Sequence, residues 1–138
     1  MKPTMSSAER RSVLVALLIF GGASLVHFIH NAELIRDYPG LPPSWTRSGV
    51  YVAWFGMTAV GACGWSLLSY GHEVAGLLVL ESYALLGLDS LGHYAVAPFS
   101  AHSTMMNVTI LMEVATAAFV LGQGVKLTIE RMRCRLRR

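Results

Sequence analysis

Four long apolar runs divide the 138-residue chain, and the polar residues between and inside them decide how it is read. The runs cover residues 12–32, 49–70, 74–97 and 103–125. Each is close to the roughly 20 apolar residues that carry an α-helix across about 30 Å of hydrocarbon. Short polar connections between them predict an all-α polytopic membrane protein: a four-transmembrane-helix bundle over 12–125. Residues 1–11 form an N-terminal tail and 126–138 a basic C-terminal tail. Glycines in the second and third runs, among them Gly56, Gly61, Gly64, Gly87 and Gly92, predict close antiparallel packing. No linker, low-complexity tract or internal repeat suggests a second domain.

Composition agrees with that pattern, since 54% of residues are hydrophobic and only 14% charged, too apolar for a soluble domain of this size. Charge then orients the bundle. Lys2, Arg10 and Arg11 precede the first run, and Lys126, Arg131, Arg133, Arg135, Arg137 and Arg138 follow the last. The first loop has only Arg36 and Arg47. Positive charge is retained inside, so both termini are expected in the cytoplasm, with the 31–48 loop and 98–102 turn outside the plasma (inner) membrane. The basic residues lie beside the membrane, where anionic lipid rather than nucleic acid is the expected partner. Apolar character continues through Leu25, Val26, Phe28 and Ile29, which reads as a span rather than a signal peptide. Cys63 lies within a run and Cys134 in the tail, so they predict no disulfide.

Charge inside hydrocarbon is costly and usually functional, and five ionisable residues gather toward one face. His27, His30 and Glu33 follow one another at intervals of three on the first helix. Asp89 and His93 are four apart on the third, which stacks them on one face of a continuous helix. Both helices run outward, and His27 and Asp89 each lie about 22 Å along their runs. The fourth helix returns with Met106, Thr109, Glu113 and Thr116 at helical spacing, Asn107 on an adjoining flank, and Glu113 near the midplane. His102, in the outer turn, lies within reach of the same mouth. Tyr38 and Trp45, in a proline-rich loop, are expected to anchor at the interface and cap the bundle.

Imidazoles and carboxylates at these spacings suit a transition-metal ion, Zn, Fe, Mn or Cu, held between facing helices. The expected ligands are His27, His30, Glu33, Asp89, His93 and His102, with Glu113 and Asp89 as catalytic carboxylates and Glu113 placed to bridge a second metal. Redox or hydrolytic chemistry on a lipophilic substrate, or metal handling, would follow. The spacings are less specific than an HExxH signature. Singly, an intramembrane histidine also serves as an interhelical hydrogen-bonding residue, and an acid can be neutralised by pairing with it. A third reading is an accessory subunit of a larger membrane complex or homo-oligomer, ligating haem or a chlorin through His27 or His93, with Ala23 one turn below His27.

In the order of its polar motifs the chain also resembles the EXPERA family of four-helix membrane proteins, which includes sterol isomerases and ligand-binding receptors. The shared features are His27, His30 and Glu33 ending the first helix, then Tyr38-Pro39 and Pro43-x-Trp45. Gly87-x-Asp89 on the third helix and Met106-Asn107 opening the fourth complete them. The resemblance implies metal-free acid–base isomerisation or binding of a lipophilic small molecule, with a His/acid pair moving a proton and Asn107 holding a polar ligand group. This chain departs from the pattern in having no acidic residue on the second helix, and Ile110 rather than Trp three residues after Asn107.

Overall fold

The computed structural model describes residues 5–136 and is helical throughout, with no strand among the described residues. Lys2, Arg137 and Arg138, three of the charges used for orientation, lie outside the described residues. Helix α1 spans Ser7–Glu33, α2 Arg47–Ser69, α3 Glu73–Leu88, α4 Gly92–Val96 and α5 Thr104–Leu136. A 3-10 turn at Asp89–Leu91 joins α3 to α4, and another at Phe99–Ala101 precedes α5. Taking α3 and α4 as one span, four segments are long and apolar enough to cross a membrane, with mean hydropathies of 2.2, 1.3, 1.5 and 1.7 in chain order.

Helix starts follow local chemistry. Ser6 caps α1 by accepting from the Glu9 amide, and the Glu9 carboxylate accepts from the Ser6 amide, a complete capping box. Thr46 caps α2 through the Gly49 amide at 3.1 Å, and the Ser103 hydroxyl accepts from the Met106 amide at the start of α5. Three of the spans therefore begin where a side-chain oxygen satisfies an otherwise free N–H.

The helices alternate in direction, each packed on its neighbours in the chain, and α5 closes the ring against α1. Packing is closest between α2 and α3. A Cβ at Gly76 would stand 2.8 Å from the Leu68 amide nitrogen and 2.9 Å from the Gly64 carbonyl oxygen, which only glycine permits. The waist is apolar, built on Phe20, Met57, Tyr83, Ala84, Ala117 and Val120. Large side chains such as Leu18, Val52, Phe55 and Phe119 point outward, while Ser24, His27, Asn31 and Glu113 are buried. Apolar outside and polar inside is the distribution expected of a bundle in lipid.

The ends differ from the sequence expectation in three places. Helix α1 already begins at Ser7, and α5 continues as helix to Leu136, so most of the two expected tails is helical. Its 33 residues give α5 a length of about 50 Å. The expected continuous third helix breaks at Asp89, where the tighter 3-10 turn changes the angular register of every later residue. Last, the 34–46 loop folds onto the bundle as a cap, with Tyr38 buried rather than exposed as an anchor, while Trp45 stays half exposed. Gly40 adopts a positive φ of 76°, with no room for a Cβ beside the Val96 carbonyl oxygen at 2.7 Å.

Candidate functional site

Polar side chains from five parts of the chain converge at the end of the bundle that carries the α1–α2 loop. On α1, Ser24, His27 and Asn31 recur at intervals of three and four, hence on one face, and all three are buried. Helix α5 supplies Thr109 and Glu113, the latter with no exposed surface. The broken α3–α4 segment supplies Ser90 and His93, the following turn His102, and the loop Tyr38, only 4% exposed.

His27 and Glu113 form the centre, with Nε2 of His27 3.6 Å from Oε2 of Glu113. The Ser90 hydroxyl donates to the same carboxylate oxygen. On its other side, His27 Nδ1 is 3.4 Å from the Thr109 hydroxyl oxygen. That hydroxyl gives its own proton to the Met106 carbonyl at 3.1 Å. With Thr109 bonded to Met106, the tautomer that carries the N–H at Nδ1 satisfies both groups and turns the Nε2 lone pair toward Glu113. In that tautomer a proton or a cation between Nε2 and the carboxylate completes the pair.

A ladder of rings leads from this pair toward the loop. The His27 ring meets His93 at a centroid separation of 5.4 Å, and His93 meets Tyr38 at 5.0 Å and His102 at 6.1 Å. Asn31 Nδ2 contacts His93 Nε2 at 3.2 Å, and the Tyr38 hydroxyl is bonded to His30 Nδ1 at 2.8 Å. Burial pushes the Tyr38 hydroxyl up to about 12, so it remains a neutral phenol at physiological pH. Beyond Tyr38 lies a polar cavity of about 930 Å³ between residues 32–38 and 41–47, with Glu33, Arg36, Asp37 and Arg47 on its walls.

The buried atoms without a hydrogen-bond partner in this region include Glu113 Oε1, Asn31 Oδ1, His93 Nδ1, His102 Nε2 and the Ser24 hydroxyl. His102 donates from Nδ1 to the Pro98 carbonyl at 3.1 Å, which leaves a lone pair at Nε2. Acceptors therefore predominate. Each buried polar atom left unmatched costs about 1–3 kcal/mol, an expense more typical of a site than of a core.

The expected residues divide accordingly. His27, His93, His102 and Glu113 come together, and His30 joins through Tyr38. Glu33 does not: it faces solvent in an ion pair with Arg47 at 2.6 Å and accepts from the Tyr51 hydroxyl at 2.7 Å. Asp89 does not either: it stands four residues after Leu85 and three after Leu86, on the exposed face of α3, whereas Ser90, three after Gly87, falls on the buried one. Asn107 lies at the edge with its capacity used, accepting from Tyr94 at 2.9 Å and donating to the carbonyls of Phe99 and His102, each at 3.3 Å. Among the described residues, no three His, Cys, Asp or Glu side chains converge tightly enough to hold a metal ion as they are placed. Sequence reasoning missed Ser24, Asn31, Tyr38 and Ser90. Ser24 and Asn31 could have been found, since they lie three before and four after His27.

No family model, no curated protein and no solved structure matches the chain.

Proposed function

We propose that this is an integral membrane protein with both termini in the cytoplasm, in which His27 and Glu113 form a buried proton-transfer centre open to the outer side. The observation that carries this reading is the approach of His27 Nε2 to a Glu113 oxygen, 3.6 Å apart with no accessible surface on the carboxylate. Such a pair holds at most one mobile proton between its two atoms, and without that proton it is a base. The His93 ring lies between His27 and Tyr38, and Tyr38 is hydrogen-bonded to His30, so titratable groups line the way from the pair toward the loop cavity. The chemistry suited to it is proton abstraction and return on a lipophilic molecule: His27 takes the proton at Nε2, Glu113 balances the imidazolium, and Ser90 orients the carboxylate. This agrees with the acid–base reading that the EXPERA-like motifs suggested, although Asn107, saturated by its neighbours, is not given a ligand-holding role.

A second reading is favoured by the excess of acceptors. His27, His93, His102 and Glu113 offer three imidazoles and a carboxylate, and modest side-chain rotations would direct them to one Zn, Fe or Cu ion. Infrared difference spectra of the purified protein separate the two readings. For the proton centre, a pH step should change a protonated-carboxyl band that is absent in Glu113→Gln and unaffected by added Zn²⁺. For the metal centre, Zn²⁺ should instead shift a carboxylate band. Identical pH-difference and Zn²⁺-difference spectra for the parent protein and Glu113→Gln would overturn both.

A further inference from the structure

A second feature lies away from the polar cluster, on the seam between α1 and α2. A lateral groove of about 390 Å³ runs along it, walled by leucines of α1 and by Trp54, Gly61 and Trp65 of α2. It opens on the apolar outside of the bundle, since its α1 wall includes Leu18, 67% exposed. The groove exists because α1 has two glycines there. A Cβ at Gly22 would meet nothing within 4 Å, and one at Gly21 only the Tyr83 hydroxyl at 3.8 Å.

Its floor is not apolar. Tyr83 and Thr58 line it at mid-depth, and Trp54 Nε1 and the Thr58 hydroxyl are buried without a hydrogen-bond partner. Thr58 is about 17 Å along α2, close to the middle of a 30 Å hydrocarbon layer. A phospholipid keeps its polar head at the interface and could offer these atoms only methylene groups. The indole N–H is a donor alone, whereas the threonine and tyrosine hydroxyls donate or accept, so an oxygen atom matches all three. Rotation of the flexible leucine walls would admit that oxygen to the floor.

We infer that the groove binds a long, lipophilic molecule carrying a single hydroxyl or carbonyl oxygen, seated against Trp54, Thr58 and Tyr83 at the centre of the membrane. The chemistry is apolar contact along the walls and one hydrogen-bonded oxygen at the floor, as most small-molecule pockets combine them. The inference does not rest on the proton-transfer reading.

The three tryptophans of the chain allow a direct test, because Trp54 and Trp65 line the groove and Trp45→Phe removes the third. In vesicles, a chain-brominated long-chain alcohol should quench this fluorescence saturably and at least fivefold more tightly than the brominated alkane of equal length. Gly22→Leu, which fills open space, should abolish the saturable component while the protein keeps its melting temperature. Thr58→Val should reduce the preference for alcohol at least threefold and leave the alkane unaffected. Equal quenching by alcohol and alkane would overturn the inference. So would an unchanged response in Gly22→Leu, or quenching by brominated phosphatidylcholine that matches the alcohol, which would mean annular lipid only.

Discussion

The two ends of the bundle both bury charged and polar side chains, but they arrange them in opposite ways. At the end that carries the termini, signs alternate: Glu9 pairs with Arg131 at 2.8 Å, Arg131 lies 3.7 Å from Glu73, and Glu73 pairs with Arg10 at 3.1 Å. Glu73 also accepts from the Met5 amide at 2.6 Å, and Arg10 donates to the Leu68 carbonyl at 2.6 Å. These contacts tie α1, the end of α2, α3 and α5 together. At the loop end, imidazoles gather around a carboxylate, and among the described residues no arginine or lysine enters the cluster. Complementary charges are what a clamp needs, whereas a mismatch that the rest of the fold must sustain is characteristic of a working site.

Three variants test this contrast, in decreasing order of expected effect. Glu73→Ala removes the acid shared by Arg10, Arg131 and the Met5 amide, and a loss of about 3 kcal/mol is expected, the scale for breaking a buried ion pair. Denaturant unfolding of the detergent-solubilised protein measures it, and a loss below about 1 kcal/mol would remove the clamp from the comparison. Replacing His27 and Glu113 together by Phe and Leu should change stability by no more than about 1 kcal/mol, in either direction, because the buried polar pair disappears along with its desolvation cost. The carboxyl titration should vanish in the same variant. A loss as large as that of Glu73→Ala would make the pair a second clamp. Smallest is Glu33→Gln, an exposed pair partner, which should leave both the melting temperature and the carboxyl titration unchanged. Any change in titration would return Glu33 to the site.

The four long helices were legible because apolar runs of membrane length leave few other solutions, and the structure places a helical segment on each run, although α1 begins five residues earlier and α5 ends eleven later than expected. His27 and Glu113 were legible for a related reason: ionisable residues deep in apolar helices stand out. Asp89 and Glu33 were misplaced for different reasons. Asp89 continues the exposed stripe of Leu85 and Leu86, which the helical spacing of the third run already contained. Glu33 was drawn away by Arg47 and Tyr51, which are distant in sequence. Tyr38 was read as an interfacial anchor because aromatic residues in loops usually are. Its burial depends on how the loop folds back, a matter settled at Gly40 and Val96 rather than near the histidines.

That loop also separates how far the cluster responds from how fast it does so. Tyr38 stands between the cavity and His93, and Gly40, at a positive φ, lies against the Val96 carbonyl where no Cβ would fit. On the proton-transfer reading, a species larger than a proton that comes from the cavity waits for the loop to lift. The timescale on which the interior meets bulk solvent is then that of a segment motion, typically nanoseconds to microseconds or slower when packing contacts must break. Occupancy and exchange rate are thereby set by different residues, the first by the histidines and Glu113, the second by a glycine about a dozen residues beyond His27.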